Sequence, residues 1–189
     1  MKFTTEILGK DFIEKVAYFS VLSDGPLQAR EFLKNKGIKM VIVPHFKQTY
    51  LDGAALLNRK GEPIIAMSLR YNRLDNFWFT LAHELSHLVL GHVHDSEDQC
   101  IIDDLDLKNT KDEIENEADS LASESLISSL LWNDHPARRT CDPIHILDLA
   151  SKADIHPSII AGRIRRENNN YKILSSLVGN GMVRKLFLN

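Results

Sequence analysis

Two segments of the chain place apolar side chains at helical spacing over several turns. The first covers residues 72–91, NRLDNFWFTLAHELSHLVLG, and its apolar positions predict a buried helix that ends at Gly91. The second covers residues 112–131, where Ile114, Ala118 and Leu121 recur at the same period, so we predict a second packed helix there.

Shorter patterns surround these two helices. Further helices are predicted over residues 10–20, 26–36, 143–153 and 157–167, and strands over 38–44, 50–57 and 63–69. The order lacks the βαβ alternation of a doubly wound sheet, so we expect an α+β fold. Its sheet should be small, mostly antiparallel and three-stranded, and should pack beside the two long helices. We expect one domain over residues 1–135 and a C-terminal helical subdomain over 136–189.

The connection between the two long helices, residues 92–111, is polar and carries six acidic side chains. Such a length without predicted structure is unusual in a compact domain and is typical of a functional loop. Its few apolar residues include Ile101, Ile102, Leu105 and Leu107. An apolar patch on a solvated strip would suit a lid over a cleft, and a plain connector is the alternative.

Composition narrows the class of protein. The formal net charge of −3 and the pI of about 6.2 argue against a general nucleic-acid or anionic-membrane binder. No run of about 18 apolar residues predicts a membrane span, and the N-terminal segment has no apolar signal core. Cys100 and Cys141 are too few for a disulfide framework, so two reduced thiols and a cytoplasmic location are expected.

The first long helix carries the sequence His83-Glu84-Leu85-Ser86-His87. Residues four apart lie on one face of a helix, so both imidazoles can bind one metal ion. Zinc prefers neutral nitrogen donors and keeps an open position for water in catalytic sites. Glu84 lies beside this face and is placed to act as general base. A solvated His/Glu face is the alternative, but the apolar character of the helix argues against it.

A third protein ligand has to come from another segment. Glu115 and Asp119 lie four residues apart at the start of the second long helix. We predict Glu115 as the ligand, with Glu117 as the main rival. Asp119 would then accept a hydrogen bond from the free ring N–H of a ligand histidine and fix its tautomer. An acidic, solvated helix start is the simpler alternative.

The segments FWFTLAHELSHLVLGH and ENEADSLASESLI resemble the ImmA/IrrE family of zinc metallopeptidases, which pairs HExxH with an E-x-x-A-(N/D) helix, as gluzincins such as thermolysin do. The resemblance implies His83, His87 and Glu115 as ligands of one zinc ion, Glu84 as general base and Asp119 behind the ligands. Ser86 replaces the glycine common in HExGH.

The resemblance extends to GIKMVIVPHFKQTYLDGAALL, PIIAMSLRYNRLDNFWFT and IHPSIIAGRIRRE, which look like the version of the domain fused to HigA-like antitoxin regulators. In such proteins a helix-turn-helix domain precedes it, and this sequence shows none. We therefore expect either a stand-alone form or part of a longer protein. The helices predicted over 143–153 and 157–167 superficially resemble a helix-turn-helix, but we expect no direct DNA binding.

The resemblance implies a zinc endopeptidase that cleaves a specific regulatory protein, such as a transcriptional repressor. The alternatives are a non-proteolytic regulatory or antitoxin-type module, whose partner could be a toxin, and a structural metal domain. An intact Glu84 favours catalysis, because a structural site has no use for a base. His92 and His94 follow the first long helix and are candidate oxyanion stabilisers, with solvated turn histidines as the alternative. Tyr71 and Tyr50 are candidates by residue type only, and core or surface packing is the alternative.

Overall fold

The computed structural model describes residues 8–45, 51–93 and 105–187, with side chains from residue 112 onward in the last range. The helices are α1 Lys10–Tyr18, α2 Gly25–Asn35, α3 Leu74–Leu90, α4 Leu105–Leu126, α5 Ser129–Trp132, α6 Ala137–Thr140, α7 Pro143–Ala153, α8 Pro157–Glu167 and α9 Arg184–Phe187. The strands are β1 Lys39–Ile42, β2 Gly53–Leu57 and β3 Pro63–Met67. The α+β class is confirmed.

The three strands form one mixed sheet in the order β1-β3-β2. Strands β2 and β3 form the predicted antiparallel hairpin, and Oδ1 of Asn58 accepts the backbone N–H groups of Lys60 and Glu62 in its loop. Strand β1 instead pairs with β3 in parallel. The expectation of a mostly antiparallel sheet was therefore wrong. The hairpin is a local structure, whereas β1 joins the far edge of β3, which its own residue pattern does not specify.

Helix α3 lies at the centre of the molecule. It packs against β2, β3, α1, α4 and α8, and its apolar face is buried with Phe77, Trp78, Leu81 and Leu85 at no more than 1% exposure. The helix ends where predicted, because Gly91 adopts a left-handed conformation with φ of 72°. This burial gives the side chains of α3 fixed positions, which a metal site requires.

Helix α4 differs from its predicted bounds at both ends. It begins at Leu105, within the connection that was expected to be a loop, and it ends at Leu126. Ser128 is extended, and the backbone N–H of Ser129 donates to Glu124 at 2.9 Å, so a separate short helix follows. Residues 94–104 and the side chains of 105–111 lie outside the described part of the chain, so the lid stays a prediction.

Helices α7 and α8 form a tight helical pair whose starts are capped by side chains. Asp142 accepts the backbone N–H of Ile144 at 2.9 Å, and His156 accepts that of Ser158 at 3.1 Å. Helix α8 then packs on α3 and buries its isoleucines, Ile159, Ile160 and Ile164. The division of the chain near residue 135 stays a prediction. Within the described ranges, no helix is long and apolar enough to cross a membrane.

Candidate metal centre

His83 and His87 lie one turn apart on the same face of α3. Their Nε2 atoms are 3.0 Å apart, and the two rings meet edge to face with centroids separated by 4.6 Å. Both side chains are mostly buried, with exposed fractions of 22% and 12%. Two ring nitrogens that face each other across a short gap are therefore fixed on one side of a packed helix.

Glu115 of α4 supplies the third group. Its Oε2 lies 3.2 Å from Nε2 of His83 and 3.8 Å from Nε2 of His87. Ligand atoms about 2.0–2.1 Å from a tetrahedral zinc ion are about 3.3 Å apart, so the three separations fit such an ion. Among the described residues, these three form the group able to hold a metal ion. The donor set of two imidazoles and one carboxylate matches a catalytic zinc site.

Asp119 lies one turn beyond Glu115 and contacts the far side of the His83 ring. Its Oδ1 is 2.9 Å from Nδ1 of His83. Because a carboxylate only accepts hydrogen bonds, Nδ1 of His83 carries the proton. The lone pair of Nε2 is then free on the side that faces His87 and Glu115. The hydrogen bond to His83 lowers the pKa of Asp119, with Arg166 contributing. Burial lowers the pKa of His83, but Asp119 and nearby carboxylates outweigh burial and raise it overall.

His87 has a different partner behind its ring. Its Nδ1 lies 3.2 Å from Nδ1 of His92, whose Nε2 is 3.2 Å from Oε2 of Glu117. Since the Glu117 carboxylate accepts from Nε2 of His92, a neutral His92 accepts from His87 through Nδ1. His87 then also presents the lone pair of Nε2. Burial lowers the pKa of His87, and the charge of His83 acts in the same direction, which favours the neutral, ligating form.

Glu84 is buried between α3 and β2, with 6% of its surface exposed. The backbone of Ala55 hydrogen-bonds to its carboxylate, and burial raises the pKa of Glu84 to about 7. A carboxylate whose pKa lies near neutrality can both take and return a proton at that pH. Strand β2 approaches closely at this point, because Gly53 has no side chain to separate it from Glu84.

These side chains line an open cleft of about 500 Å³. One wall is strand β2, which lies at an edge of the sheet, and residues 51–55 border the cleft. Glu115, Asp119 and Arg166 also line the cleft. Unpaired backbone groups of an edge strand can bind an extended peptide as an added strand. The cleft therefore joins a candidate metal centre to a surface suited to a polypeptide.

A family model described as the IrrE N-terminal-like domain, Peptidase_M78, matches residues 35–139, which is more than half of the chain. The chain belongs to this peptidase family. The predicted ImmA/IrrE resemblance is thereby confirmed, and the M78 match supports a metallopeptidase with a bound metal. Fusion to a HigA-like regulator stays a prediction. No match was found among curated proteins.

The M78 domain brings His83, His87, Glu115 and Asp119 together as the sequence analysis expected. Glu117, the rival ligand, contacts His92 instead. The catalytic and metal-binding roles of these residues stay predictions. Ser86, in place of the family's glycine, is fully buried and donates to the carbonyl of Ala82 at 2.8 Å.

The candidate oxyanion stabilisers have other contacts. Both ring nitrogens of His92 face partners within the protein, although its side chain borders the cleft. Tyr71 is outside the described lining of the cleft, and its ring lies beneath the guanidinium groups of Arg70 and Arg73. Tyr50 and His94 lie outside the described residues. The oxyanion role stays a prediction for all four.

Sequence reasoning missed two residues of this M78 site. Gly53 lies within the strand predicted over residues 50–57 but was not predicted as a site residue, and its lack of a side chain lets Glu84 approach. Arg166 was not predicted as a site residue either, yet it pairs with Asp119 and borders the cleft. A glycine inside a strand is itself a signal of close approach. The position of Arg166 has no comparable local signal, because it depends on how α8 packs.

Proposed function

We propose that the protein is a zinc-dependent endopeptidase that cleaves a specific regulatory protein. The observation that carries this proposal is the convergence of His83, His87 and Glu115 beside the buried carboxylate of Glu84. A structural zinc site has four protein ligands and no adjacent base. Three candidate ligands, an open cleft and a base of raised pKa together favour catalysis.

In this proposal, Nε2 of His83, Nε2 of His87 and the Glu115 carboxylate hold the zinc ion. When bound, zinc lowers the pKa of a water molecule and polarises the scissile carbonyl. Glu84 takes a proton from the attacking water and returns it to the leaving amine, for which a pKa near neutrality is suited. Asp119 and His92 keep the two imidazoles oriented from behind.

The substrate is proposed to bind as an extended strand along β2. Residues 51–55 border the cleft on the side of the sheet edge, and Glu84 lies directly beside Gly53. A bound segment would therefore pass over the catalytic carboxylate. The open cleft of about 500 Å³ has room for a short stretch of unfolded chain beside the candidate ligands. A transcriptional repressor is the regulatory target that the family resemblance favours.

The test combines metal analysis with cleavage. Purified protein should contain one zinc ion per chain, and co-expression with the products of neighbouring genes should yield a cleaved partner. Glu84→Gln should retain the zinc and abolish cleavage, because Glu84 is a base and not a ligand. Glu113→Gln is the matched control, since Glu113 is an exposed carboxylate on α4 outside the described cleft lining.

A Glu84→Gln protein that keeps the full biological effect would contradict the proposal. It would instead support a non-proteolytic regulatory or antitoxin-type module, in which the metal domain binds a partner such as a toxin. A protein that contains no metal and binds none would contradict both the peptidase proposal and the metal-dependent module.

A further inference from the structure

Arg166 connects the C-terminal part of the chain to the candidate metal centre. Its side chain, half exposed, donates from Nη2 to Oδ2 of Asp119, and the other oxygen of Asp119 holds Nδ1 of His83. Arg166 lies on α8, beyond residues 35–139 that match the family model. The set of side chains around the site is therefore completed by an element outside the matched region.

The backbone of α8 is firmly placed. Its isoleucines are fully buried, and Gly162 lies directly against Asp75 of α3. Arg163, one turn before Arg166, donates to the carbonyl oxygens of Ser123 and Ile127 at 3.2 and 2.9 Å, which joins α8 to the end of α4. The base of the Arg166 side chain is thus fixed relative to both helices that carry the candidate ligands.

The orientation of Asp119 depends on what each of its two oxygens contacts. One oxygen accepts from His83 and the other from Arg166, so both partners hold the carboxylate in a single rotamer. The Asp119 side chain is 37% exposed even with Arg166 in place, so without the guanidinium its carboxylate can rotate toward water. A rotated Asp119 would no longer fix the Nδ1–H tautomer of His83 or the direction of its Nε2 lone pair.

We propose that Arg166 is a positioning residue, which acts through Asp119 to keep His83 in its metal-binding orientation. This inference rests on the metal site of the proposed function. Charge alone makes the opposite prediction. A guanidinium has the same sign of charge as zinc, so its removal would strengthen zinc binding if repulsion dominated. The sign of the change in zinc affinity therefore distinguishes positioning from simple electrostatics.

The experiment is a double-mutant cycle on zinc affinity, measured on metal-free full-length protein by competition with a chromophoric chelator. Arg166→Gln should weaken zinc binding about tenfold. This is the lower end of the range found when a hydrogen-bond partner of a metal ligand is removed. In an Asp119→Asn background the same change should weaken binding no further, because Arg166 acts through Asp119. Arg166→Lys should restore part of the affinity, since lysine keeps a charged donor.

The matched control is Arg138→Gln. Arg138 is comparably exposed and pairs with Glu167, away from the cleft, so its replacement should leave zinc affinity unchanged. Unchanged or tighter zinc binding by Arg166→Gln would overturn the proposal. So would an equal loss of affinity in the Asp119→Asn background, because the effect would then not pass through Asp119.

A second readout does not need metal. In metal-free protein, long-range proton–nitrogen NMR at a pH well above the ordinary pKa of histidine reports the tautomer of His83. The native protein and Arg138→Gln should show the proton on Nδ1, and Arg166→Gln should show a mixture. An unchanged tautomer in Arg166→Gln would overturn the inference even if native protein bound no zinc, a result that would separately defeat the proposed function.

Discussion

Gly53 in strand β2 lies directly against the side chain of Glu84 in helix α3. A Cβ at position 53 would lie 2.6 Å from Oε1 and 2.8 Å from Cγ of Glu84, and 2.7 Å from Cγ2 of Thr80. No real Cβ tolerates such distances, so only glycine permits this approach of the strand to the helix. The same approach buries Glu84, and burial raises the pKa of its carboxyl group to about 7.

Replacement of Gly53 by alanine should therefore damage both stability and function. Overpacking of a tight contact costs about 1–3 kcal/mol, and Glu84 would have to move from its position beside the candidate metal centre. We expect a lower free energy of unfolding in urea and the loss of most peptidase activity. Gly9→Ala is the control for activity, because nothing lies within 4 Å of a Cβ there, and it should leave peptidase activity unchanged. Native-like activity of Gly53→Ala would show that β2 does not hold Glu84 in place.

Glu115 and Glu117 offer a direct test of the ligand assignment. Glu115 contacts both histidine Nε2 atoms, whereas Glu117 contacts His92. Glu115→Gln should weaken zinc binding at least a hundredfold, because one of three protein ligands is lost. Glu117→Gln removes only the partner of His92, which in turn contacts His87, and should lower the affinity for zinc tenfold or less. Both can be measured by zinc titration of metal-free protein. A larger loss for Glu117→Gln would reverse the assignment.

Gly162 tests the docking of α8 on α3. Alanine favours a helix over glycine by about 1 kcal/mol, but a Cβ at this position would lie 2.8 Å from Cβ of Asp75. The Cβ of Asp75 cannot move away without its backbone, and such overpacking costs about 1–3 kcal/mol. Since the gain in helix propensity offsets about 1 kcal/mol of this cost, Gly162→Ala should destabilise the protein by up to about 2 kcal/mol. Urea unfolding measures it. A protein stabilised by this substitution would indicate a looser packing of α8.

His156 should make the stability of α8 depend on pH. Burial lowers the pKa of His156 below 6.5, and the neutral ring accepts the backbone N–H of Ser158 at the start of the helix. Because the unfolded chain binds the proton more readily, this contribution is present above pH 6.5 and is lost as the pH falls below that value. A helix cap is worth about 1 kcal/mol.

His156→Asn keeps a capping side chain and removes the titration. Urea unfolding of both proteins across this pH range should give curves that nearly coincide at high pH and separate on acidification, where the asparagine variant is more stable. Parallel curves would show that His156 does not act through its neutral form.

Local physics made several features predictable. A period of 3.6 residues per turn places His83 and His87 on one face, and it does so for any helix that contains them. Gly91 ends that helix because its backbone readily adopts the left-handed conformation, and Asp142 begins α7 with a side-chain cap. The hairpin of β2 and β3 is equally local. Each of these features depends on residues within a few positions of each other.

Features that join distant parts of the chain were less predictable. The expectation of a mostly antiparallel sheet was wrong, because the parallel pairing of β1 with β3 depends on the whole core and not on the apolar pattern of β1. The start of α4 at Leu105 was missed, since its acidic composition resembles that of a loop. Glu115 and Asp119 could be proposed from their spacing, but only packing of α3 against α4 brings them to the histidines.

The amino-acid sequence by itself determined that two histidines and Glu84 share one helix, that a second helix carries the acidic residues, and to which family the chain belongs. Tertiary structure alone decided that Gly53 presses β2 against Glu84, that His92 contacts His87, and that Arg166 reaches Asp119. The physical reason is range. Helix periodicity and capping act within about one or two turns, whereas contacts between elements depend on how all apolar faces pack together, which no single segment encodes.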